Sequence, residues 1–307
     1  MPRNPKTRAL GSALRQARED KGLVLREFAT LIDQNSGVLS RWETGDRTPK
    51  PEYVAKLLTA LDVKGRRYDE IMTLAYRTDE ARWVAANRAE QRQQIVAYIE
   101  WEQTATRIVE VSPLLIPGLL QTSDYIETIM RAEGVSADEI AARTATRIGR
   151  REVIAKHGQT ELVVLIGEGA LRQNIGGPAV MLKQLHHLLK IVAQPNIEMR
   201  IFPNDRSYHP GLDGVFTIIE SGRATTGSIV FVDARQAPLM LHEAEDVCAY
   251  QDAADRVARE CLSPQDSIRL IMAIARELEG KVDAGKQLAQ IQPQPQLPDL
   301  RRGAQHP

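Results

Sequence analysis

Residues 22–49 read Gly-Leu-Val-Leu-Arg-Glu-Phe-Ala-Thr-Leu-Ile-Asp-Gln-Asn-Ser-Gly-Val-Leu-Ser-Arg-Trp-Glu-Thr-Gly-Asp-Arg-Thr-Pro, which predicts two short helices on either side of a tight turn. Asn35 is suited to cap a second helix that begins at Ser36, and Gly45 is suited to end it. This layout is a helix-turn-helix, which indicates binding to double-stranded DNA. The apolar residues that would hold the two helices together lie at helical spacing: Phe28, Ala29, Ile32, Leu39 and Trp42.

Further helices flank this motif. Apolar residues upstream predict a helix that stops at Lys21-Gly22, and apolar residues downstream predict another after Pro49 and Pro51. We therefore expect residues 1–77 to form an all-α helix-turn-helix bundle. The flanking apolar positions are Leu10, Leu14, Ala17, Tyr53, Val54, Leu57, Leu58 and Leu61.

The segment from Leu10 to Val63 resembles the Xre family of bacterial and phage regulators, whose DNA-binding domain has the lambda-repressor fold. The resemblance implies that Arg18 pairs with Glu43 and that this pair stabilises the bundle rather than reading DNA. The residues that carry it are Leu14-Arg15, Arg18, Gly22-Leu23, Phe28-Ala29, Leu39-Ser40-Arg41-Trp42-Glu43, Gly45, Arg47 and Pro49.

The second helix of the motif supplies the candidate DNA contacts. Arg41 is suited to a bidentate contact with guanine, and a phosphate contact is nearly as well supported. Val38 is suited to touch a thymine methyl group, and Arg47 is assigned to the DNA backbone. Leu25 departs from the family, where a phosphate-binding glutamine is frequent. The candidate DNA-binding residues are Asn35, Ser36, Gly37, Val38, Ser40, Arg41 and Arg47.

The charge of the chain is unevenly distributed. Residues 1–77 carry 15 Lys and Arg against 10 Asp and Glu, whereas residues 78–307 carry 25 against 30. The basic N-terminal segment, residues 1–77, attracts the phosphate groups of DNA, whereas the acidic remainder of the chain is repelled by them. The distribution therefore favours DNA binding through this N-terminal head.

The chain of 307 residues is long enough for a second domain. We expect a connecting helix within residues 78–104, with its pattern running from Arg82 to Glu102, and a polar, disordered tail over 284–307 that builds no core. Residues 105–283 are expected to form an α+β regulatory and dimerisation domain, with a mainly antiparallel sheet and helices on one face. The predicted strands are Ala105–Val111, Glu161–Ile166, Ile197–Phe202, Gly214–Ile219, Ser228–Val232 and Pro238–Leu241, and the predicted helices are 118–132, 136–156, 178–193, 243–260 and 264–280.

Residues 85–280 resemble the C-terminal domain of antitoxin-like, Scr1-type regulators of actinobacteria. The resemblance implies a transcriptional regulator encoded beside a small partner protein, and brings no catalytic residues. The arginines at 143, 147, 150 and 151 indicate a solvated helix face or a site for an acidic partner. The residues that carry the resemblance are Pro117-Gly118-Leu119-Leu120-Gln121-Thr122, Tyr125, Arg147, Arg150-Arg151, Glu168, Leu171-Arg172, His209-Pro210-Gly211-Leu212 and Phe216.

An enzyme, a hydrolase or transferase fused to an autoregulatory helix-turn-helix, is the alternative. His209, Asp213 and Glu168 are the residues that such a site would use. The favoured interpretation is that His209 bonds backbone within a turn, since no nucleophile and base stand at a suitable spacing. Gly167-Glu168-Gly169 lacks the third glycine of a dinucleotide fingerprint. We expect no catalytic activity, no cofactor and no metal.

The favoured function is therefore a sequence-specific DNA-binding regulator that represses or autoregulates its own locus. A single head offers few contacts, which favours a homodimer. The sequence holds no apolar run near twenty residues and no leader at its N-terminus, so we expect a cytoplasmic protein without a membrane span. Cys248 and Cys261 are expected to be buried free thiols.

Overall fold

The structure is a computed structural model that describes residues 5–78, 82–85, 88–155, 160–222, 227–234 and 237–291. Within the first of these ranges the chain is entirely α-helical, as expected. Apolar side chains at helical spacing converge on one core, which explains why these short segments fold as helices. The helices of this N-terminal bundle are α1 (Pro5–Asp20), α2 (Leu25–Leu31), α3 (Ser36–Glu43), α4 (Pro51–Ala60) and α5 (Gly65–Tyr76).

Helix α1 crosses the bundle and lies against α3, α4 and α5. At Gly11 the backbones of α1 and α3 come into direct contact. A Cβ atom at this position would lie 2.5 Å from the carbonyl oxygen of Trp42 and 2.8 Å from that of Glu43. Glycine is therefore required at this crossing, although it disfavours the interior of a helix.

The described residues beyond the bundle form a mixed sheet flanked by helices. The strands are β1 (Arg82–Val84), β2 (Ala105–Ser112), β3 (Glu161–Gly167), β4 (Ile197–Phe202), β5 (Phe216–Ser221), β6 (Ser228–Val232) and β7 (Leu239–Leu241), in the order β1-β7-β6-β5-β2-β3-β4. The helices are α6 (Arg88–Gln103), α7 (Ser123–Ala132), α8 (Ala137–Gly149), α9 (Glu152–Ala155), α10 (Glu168–Arg172), α11 (Gly177–Ile191), α12 (Ala244–Glu260) and α13 (Pro264–Ile291), with short 3₁₀ turns at Gly118–Leu120 and Pro210–Leu212.

The sheet is mainly antiparallel, as predicted, but β2, β3 and β4 are parallel. The helices α7 to α11 lie between these strands in sequence, and a helical crossover returns the chain to start the next strand in the same direction. The expectation of helices on one face is wrong. Helices α11 and α13 pack on one face and α12 packs on the other, because alternate side chains of the central strands are apolar on both sides.

The connecting helix begins later than predicted. Residues Arg82–Val84 form an edge strand that pairs antiparallel with β7, and the helix starts at Arg88. The expected tail is also wrong at its start, because α13 continues as a helix to Ile291. The remainder of that tail, 292–307, lies outside the described residues. Cys261 is a half-buried free thiol, whereas Cys248 is exposed rather than buried.

The bundle and the sheet share one continuous hydrophobic core. Helix α1 packs against α6, and at this contact the guanidinium of Arg8 lies 4.4 Å from the ring centre of Trp101. The same guanidinium donates to Thr104 Oγ1 at 3.3 Å. Arg8 is buried and Trp101 is fully buried. The N-terminal turns of α1 therefore hold the N-terminal bundle against the second half of the chain.

Candidate DNA-binding interface

The turn between α2 and α3 is fixed by local hydrogen bonds. The side chain of Asn35 caps α3, since its Oδ1 accepts from the backbone N–H groups of Gly37 at 2.8 Å and Val38 at 3.3 Å. Asp33 adopts a left-handed conformation with φ 54°, which aspartate tolerates better than most residues. Lys56 of α4 donates to the carbonyl oxygen of Ile32 at 3.0 Å, which satisfies the end of α2.

The inner side of α3 is anchored to α1. Leu39 and Trp42 are buried in the core. Arg18 donates to Glu43 through two hydrogen bonds, Nε to Oε1 at 2.7 Å and Nη2 to Oε2 at 2.8 Å, and its Nη1 donates to the Leu23 carbonyl oxygen at 2.6 Å. The hydrogen bond to Glu43 is the main cause that raises the pKa of Arg18 above its ordinary value. The ion pair that the resemblance implies is thus present between buried residues, away from the outer surface of α3.

The outer side of α3 carries the residues expected to contact DNA. Asn35, Gly37, Arg41 and Arg47 are exposed. Arg41 donates from Nε to the Gly37 carbonyl oxygen at 3.1 Å, so the guanidinium lies along α3. Among the described residues its terminal amino groups have no hydrogen-bond partner. The half-buried members of the predicted set are Ser36, Val38 and Ser40.

The geometry refines the role of individual residues. Val38 packs against the core of the bundle, so only part of its side chain is accessible. Asn35 uses its side-chain oxygen for the cap and retains only its amide N–H groups as donors to another molecule. The backbone N–H of Arg47 donates to the carbonyl oxygen of Arg41 at 3.0 Å, which fixes Arg47 next to the end of α3.

Two exposed cations of the motif region were absent from the predicted set. Arg26 lies in the first turn of α2, and Lys50 precedes α4. Phosphate groups are favoured at the starts of helices, where backbone N–H groups are free. A cation at or just before a predicted helix start was therefore the sequence signal that could have added Arg26 and Lys50 to the predicted DNA contacts.

The residues of the enzyme alternative each make contacts with other side chains. His209 is buried, with its Nδ1 lacking a hydrogen-bond partner among the described residues, so the expected backbone bond at this atom is not made. Its ring lies edge-on to Phe202 at 5.0 Å. Glu168 is engaged by Arg172 at 2.7 Å, which is the main cause of its lowered pKa. Asp213 accepts from Tyr208 Oη at 3.0 Å.

Part of the basic run at 143–151 is half-buried rather than fully solvated, whereas Arg143 is exposed. Arg150 forms a two-bond ion pair with the buried Glu102 of α6, both bonds measuring 2.8 Å. Arg147 donates to Gln121 at 3.5 Å. Burial, followed by the nearby charge of Glu102, raises the pKa of Glu110 on β2 to about 7. This cluster joins α6, the C-terminal end of α8 and β2.

Within the described residues, no group of three or more His, Cys, Asp or Glu side chains is arranged to hold a metal ion. The helices in the described part of the chain are all too short or too polar to cross a bilayer.

The fold and the exposed outer side of α3 define a helix-turn-helix protein, and comparisons with known proteins agree. A helix-turn-helix domain model matches residues 9–71, which indicates a DNA-binding regulator rather than an enzyme. A second family model, described as a domain of unknown function (DUF5753), matches residues 95–273. Because this match covers more than half of the chain, the protein belongs to the DUF5753 family.

Two curated relatives match a short segment only. Multiprotein-bridging factor 1 of Candida albicans is 38% identical over 58 residues, which are 19% of this chain and 38% of the relative. Multiprotein-bridging factor 1 of Debaryomyces hansenii is 37% identical over 57 residues, again 19% of this chain and 38% of the relative. The chain therefore spans well under half the length of these relatives. No solved structure matches the chain.

Proposed function

We propose that this protein is a sequence-specific DNA-binding transcriptional regulator that represses or autoregulates its own locus. Its α3 enters the major groove, and Arg47 contacts the DNA backbone beside it. The observation that carries this proposal is the two-sided character of α3. One side is fixed by Leu39, Trp42 and Glu43, and the other presents Arg41 with terminal amino groups that make no hydrogen bond among the described residues.

The finer classification is part of the same proposal. The bundle is of the lambda-repressor type found in Xre-family regulators, and the second half is of the antitoxin-like, Scr1 type. The ordered residues from Leu14 to Pro49, together with the Arg18–Glu43 ion pair, support the first assignment. The ordered residues from Pro117 to Phe216 support the second. The protein acts in the cytoplasm, where its operator lies.

The protein functions as a homodimer on two half-sites. Helix α3 has only eight residues, and a single copy reaches few base pairs, so useful specificity requires a second head about one helical turn away. The dimer contact is assigned to the second half of the chain, within residues 105–283, because the outer side of the bundle is reserved for DNA.

The second half of the chain acts as a sensor or partner-binding domain for a small protein encoded by an adjacent gene. The shared core supports such coupling, because Arg8 of α1 lies directly on Trp101 of α6. A partner that prefers one arrangement of this contact would change DNA affinity, and a tenfold change needs a difference of only about 1.4 kcal/mol.

The proposal is tested by selecting duplexes from a random pool with the purified full-length chain. The expected result is a two-fold symmetric site with half-sites about ten base pairs apart and a dimer in sedimentation experiments at micromolar concentration. Failure to enrich any sequence contradicts specific DNA binding. Enrichment of a single half-site by a monomer contradicts the dimer alone.

A further inference from the structure

A cleft of about 250 Å³ opens on the face of the sheet covered by α12. One wall is the loop that follows β4, with Pro210, Asp213 and Gly214, and the floor includes Phe216 of β5 and Val232 of β6. The cleft is separate from the surface of α3 and from the buried Glu102–Arg150 ion pair. The other wall is α12, which lines the cleft with Ala249, Tyr250 and Ala253.

The walls of the cleft are apolar and suited to a flat group. Ala249 and Ala253 are one helical turn apart, and their small side chains leave the space between α12 and the loop open. Tyr250 lies edge-on to Phe216, with ring centres 5.0 Å apart and an angle of 69° between the rings. An aromatic ring placed beside this pair would gain further edge or face contacts.

The loop wall is held in place from beneath. His209 is buried and packs edge-on against Phe202 of β4 at 5.0 Å. The backbone N–H of Asp213 donates to the Pro210 carbonyl oxygen at 3.1 Å, which closes the 3₁₀ turn that presents Asp213. The cleft is therefore built by the fold rather than by a loosely placed loop.

The charge at the cleft is negative. The carboxylate of Asp213 accepts from Tyr208 Oη at 3.0 and 3.3 Å, and no Lys, Arg or His among the described residues forms an ion pair with it. Helix α12 carries five acidic side chains and two basic ones, which gives this wall a net negative charge, although Arg256 of α12 lies within electrostatic range of Tyr208. A positively charged ligand is favoured over a neutral or negative one.

We propose that this cleft binds a small organic cation, an aromatic ring that carries a protonated amine. The ring lies between Ala253 and the Phe216–Tyr250 pair, and the ammonium group donates to the carboxylate of Asp213. The volume limits the ligand to about one ring with a short chain, since pockets for drug-sized molecules begin at about 300 Å³.

The cleft is connected to the DNA-binding bundle through the start of α12. Tyr250 lies near Asp246, which forms a two-bond ion pair with Arg82 of β1, at 2.8 and 3.2 Å. Strand β1 pairs with β7, and His242, directly after β7, lies within electrostatic range of Lys6 on α1. Movement of α12 on ligand binding would therefore reach α1. That this changes DNA binding rests on the proposed function.

The test uses phenethylammonium as the probe and 3-phenylpropionate as its anionic counterpart, each titrated into the full-length chain by calorimetry. A ligand of this size is expected to bind with a Kd of about 1 mM. Asp213→Asn should weaken binding about tenfold, as expected for losing one charged hydrogen bond. Ala253→Phe, which fills the cleft, should abolish it. Asp255→Asn on the exposed side of α12 is the matched control and should leave the Kd unchanged.

The cleft assignment is overturned if phenethylammonium does not bind at about 10 mM, if 3-phenylpropionate binds equally well, or if Asp213→Asn binds like Asp255→Asn. A second measurement adds saturating phenethylammonium to the complex with a selected duplex. A changed duplex affinity supports regulation through the cleft, and an unchanged affinity overturns it. Ligand binding without any duplex binding would contradict the proposed function and still support the cleft.

Discussion

Arg18 and Glu43 join α1 to the C-terminal end of α3 through two hydrogen bonds of 2.7 and 2.8 Å between buried side chains. The carbonyl oxygen of Glu43 also accepts from Arg15 Nη2 at 3.1 Å. These bonds, with the backbone contact at Gly11, determine the angle at which α3 crosses α1. The orientation of α3, the helix that we propose to contact DNA, is therefore set by residues that need not touch DNA.

Replacing Glu43 by Ala is expected to lower the free energy of unfolding by about 3 kcal/mol, because the guanidinium of Arg18 loses its buried carboxylate partner and retains only the Leu23 carbonyl oxygen and the exposed Glu19. The double variant Arg18→Met, Glu43→Leu should recover most of this loss, since no buried charge remains. Urea denaturation measures both. The control is Arg143→Ala, which removes the exposed ion-pair partner of Glu139 and should change stability by less than about 1 kcal/mol. Equal losses for Glu43→Ala and the control would refute the structural role.

Replacing Gly11 by Ala is expected to destabilise the protein by roughly 1–3 kcal/mol, because the new methyl group meets the backbone of α3. Alanine is intrinsically better than glycine inside a helix by about 1 kcal/mol. A loss of stability would therefore indicate the backbone contact, whereas a gain would indicate helix propensity alone. Gly149→Ala in α8, where a Cβ meets nothing within 4 Å, is the matched control. Thermal denaturation should show a lower Tm for the first variant and an equal or higher Tm for the second. A Gly11→Ala protein as stable as wild type would mean that α1 and α3 do not touch there.

The buried carboxyl of Glu110 should give the protein a characteristic pH dependence. Burial, with the nearby charge of Glu102, raises its pKa from 4.5 to about 7, so the folded state binds this proton more tightly than the unfolded state. The stabilisation is complete below about pH 4.5 and is lost as the pH rises through 7. Over this window the contribution amounts to about 3 kcal/mol.

Glu110→Gln should remove that slope, because glutamine does not titrate. The stability of the wild type minus that of the variant is expected to fall between pH 5 and pH 8, measured by urea denaturation at each pH. Glu198→Gln, an exposed position on β4, serves as the control and should give a flat difference. A flat difference for Glu110→Gln as well would exclude a strongly raised pKa.

The bundle was largely predictable from the sequence because its signals are local. The apolar spacing around Phe28 and Leu39, the cap at Asn35 and the terminating Gly45 each act within one or two helical turns. The strands β4 and β6 were also predicted with their observed bounds, because runs rich in β-branched residues end at turn residues.

The arrangement of the second half was less predictable because it depends on distant contacts. Three residues, Arg82–Val84, are too few to show a period of two, and they become a strand only because β7 offers a free edge. The parallel pairing of β2 with β3 was missed although helices were predicted between them. The inward turn of Arg150 depends on Glu102, which lies 48 positions away in sequence.

The cleft beside α12 could not be predicted from the sequence for the same reason, because its walls come from distant segments. Asp213 stood out in the sequence as a polar residue near a turn. Phe216, however, lies more than thirty residues before the α12 segment that carries Tyr250 and the two alanines. Their spacing along the chain carries no signal of a common site. Only the antiparallel order of β5 and β6 under α12 brings them together.

The central claim, that the outer side of α3 contacts DNA, is tested most directly by the affinity of Arg41→Ala for a duplex selected by the wild type, measured at several salt concentrations. The expected loss is about 1–3 kcal/mol. A loss confined to the selected duplex indicates base reading, and an equal loss on a scrambled duplex with a salt slope lower by about 1 indicates a phosphate contact. Arg143→Ala, on an exposed part of α8, is the control and should bind like wild type. If Arg41→Ala binds as tightly as Arg143→Ala at every salt concentration, the assignment of α3 as the DNA-contacting helix is contradicted.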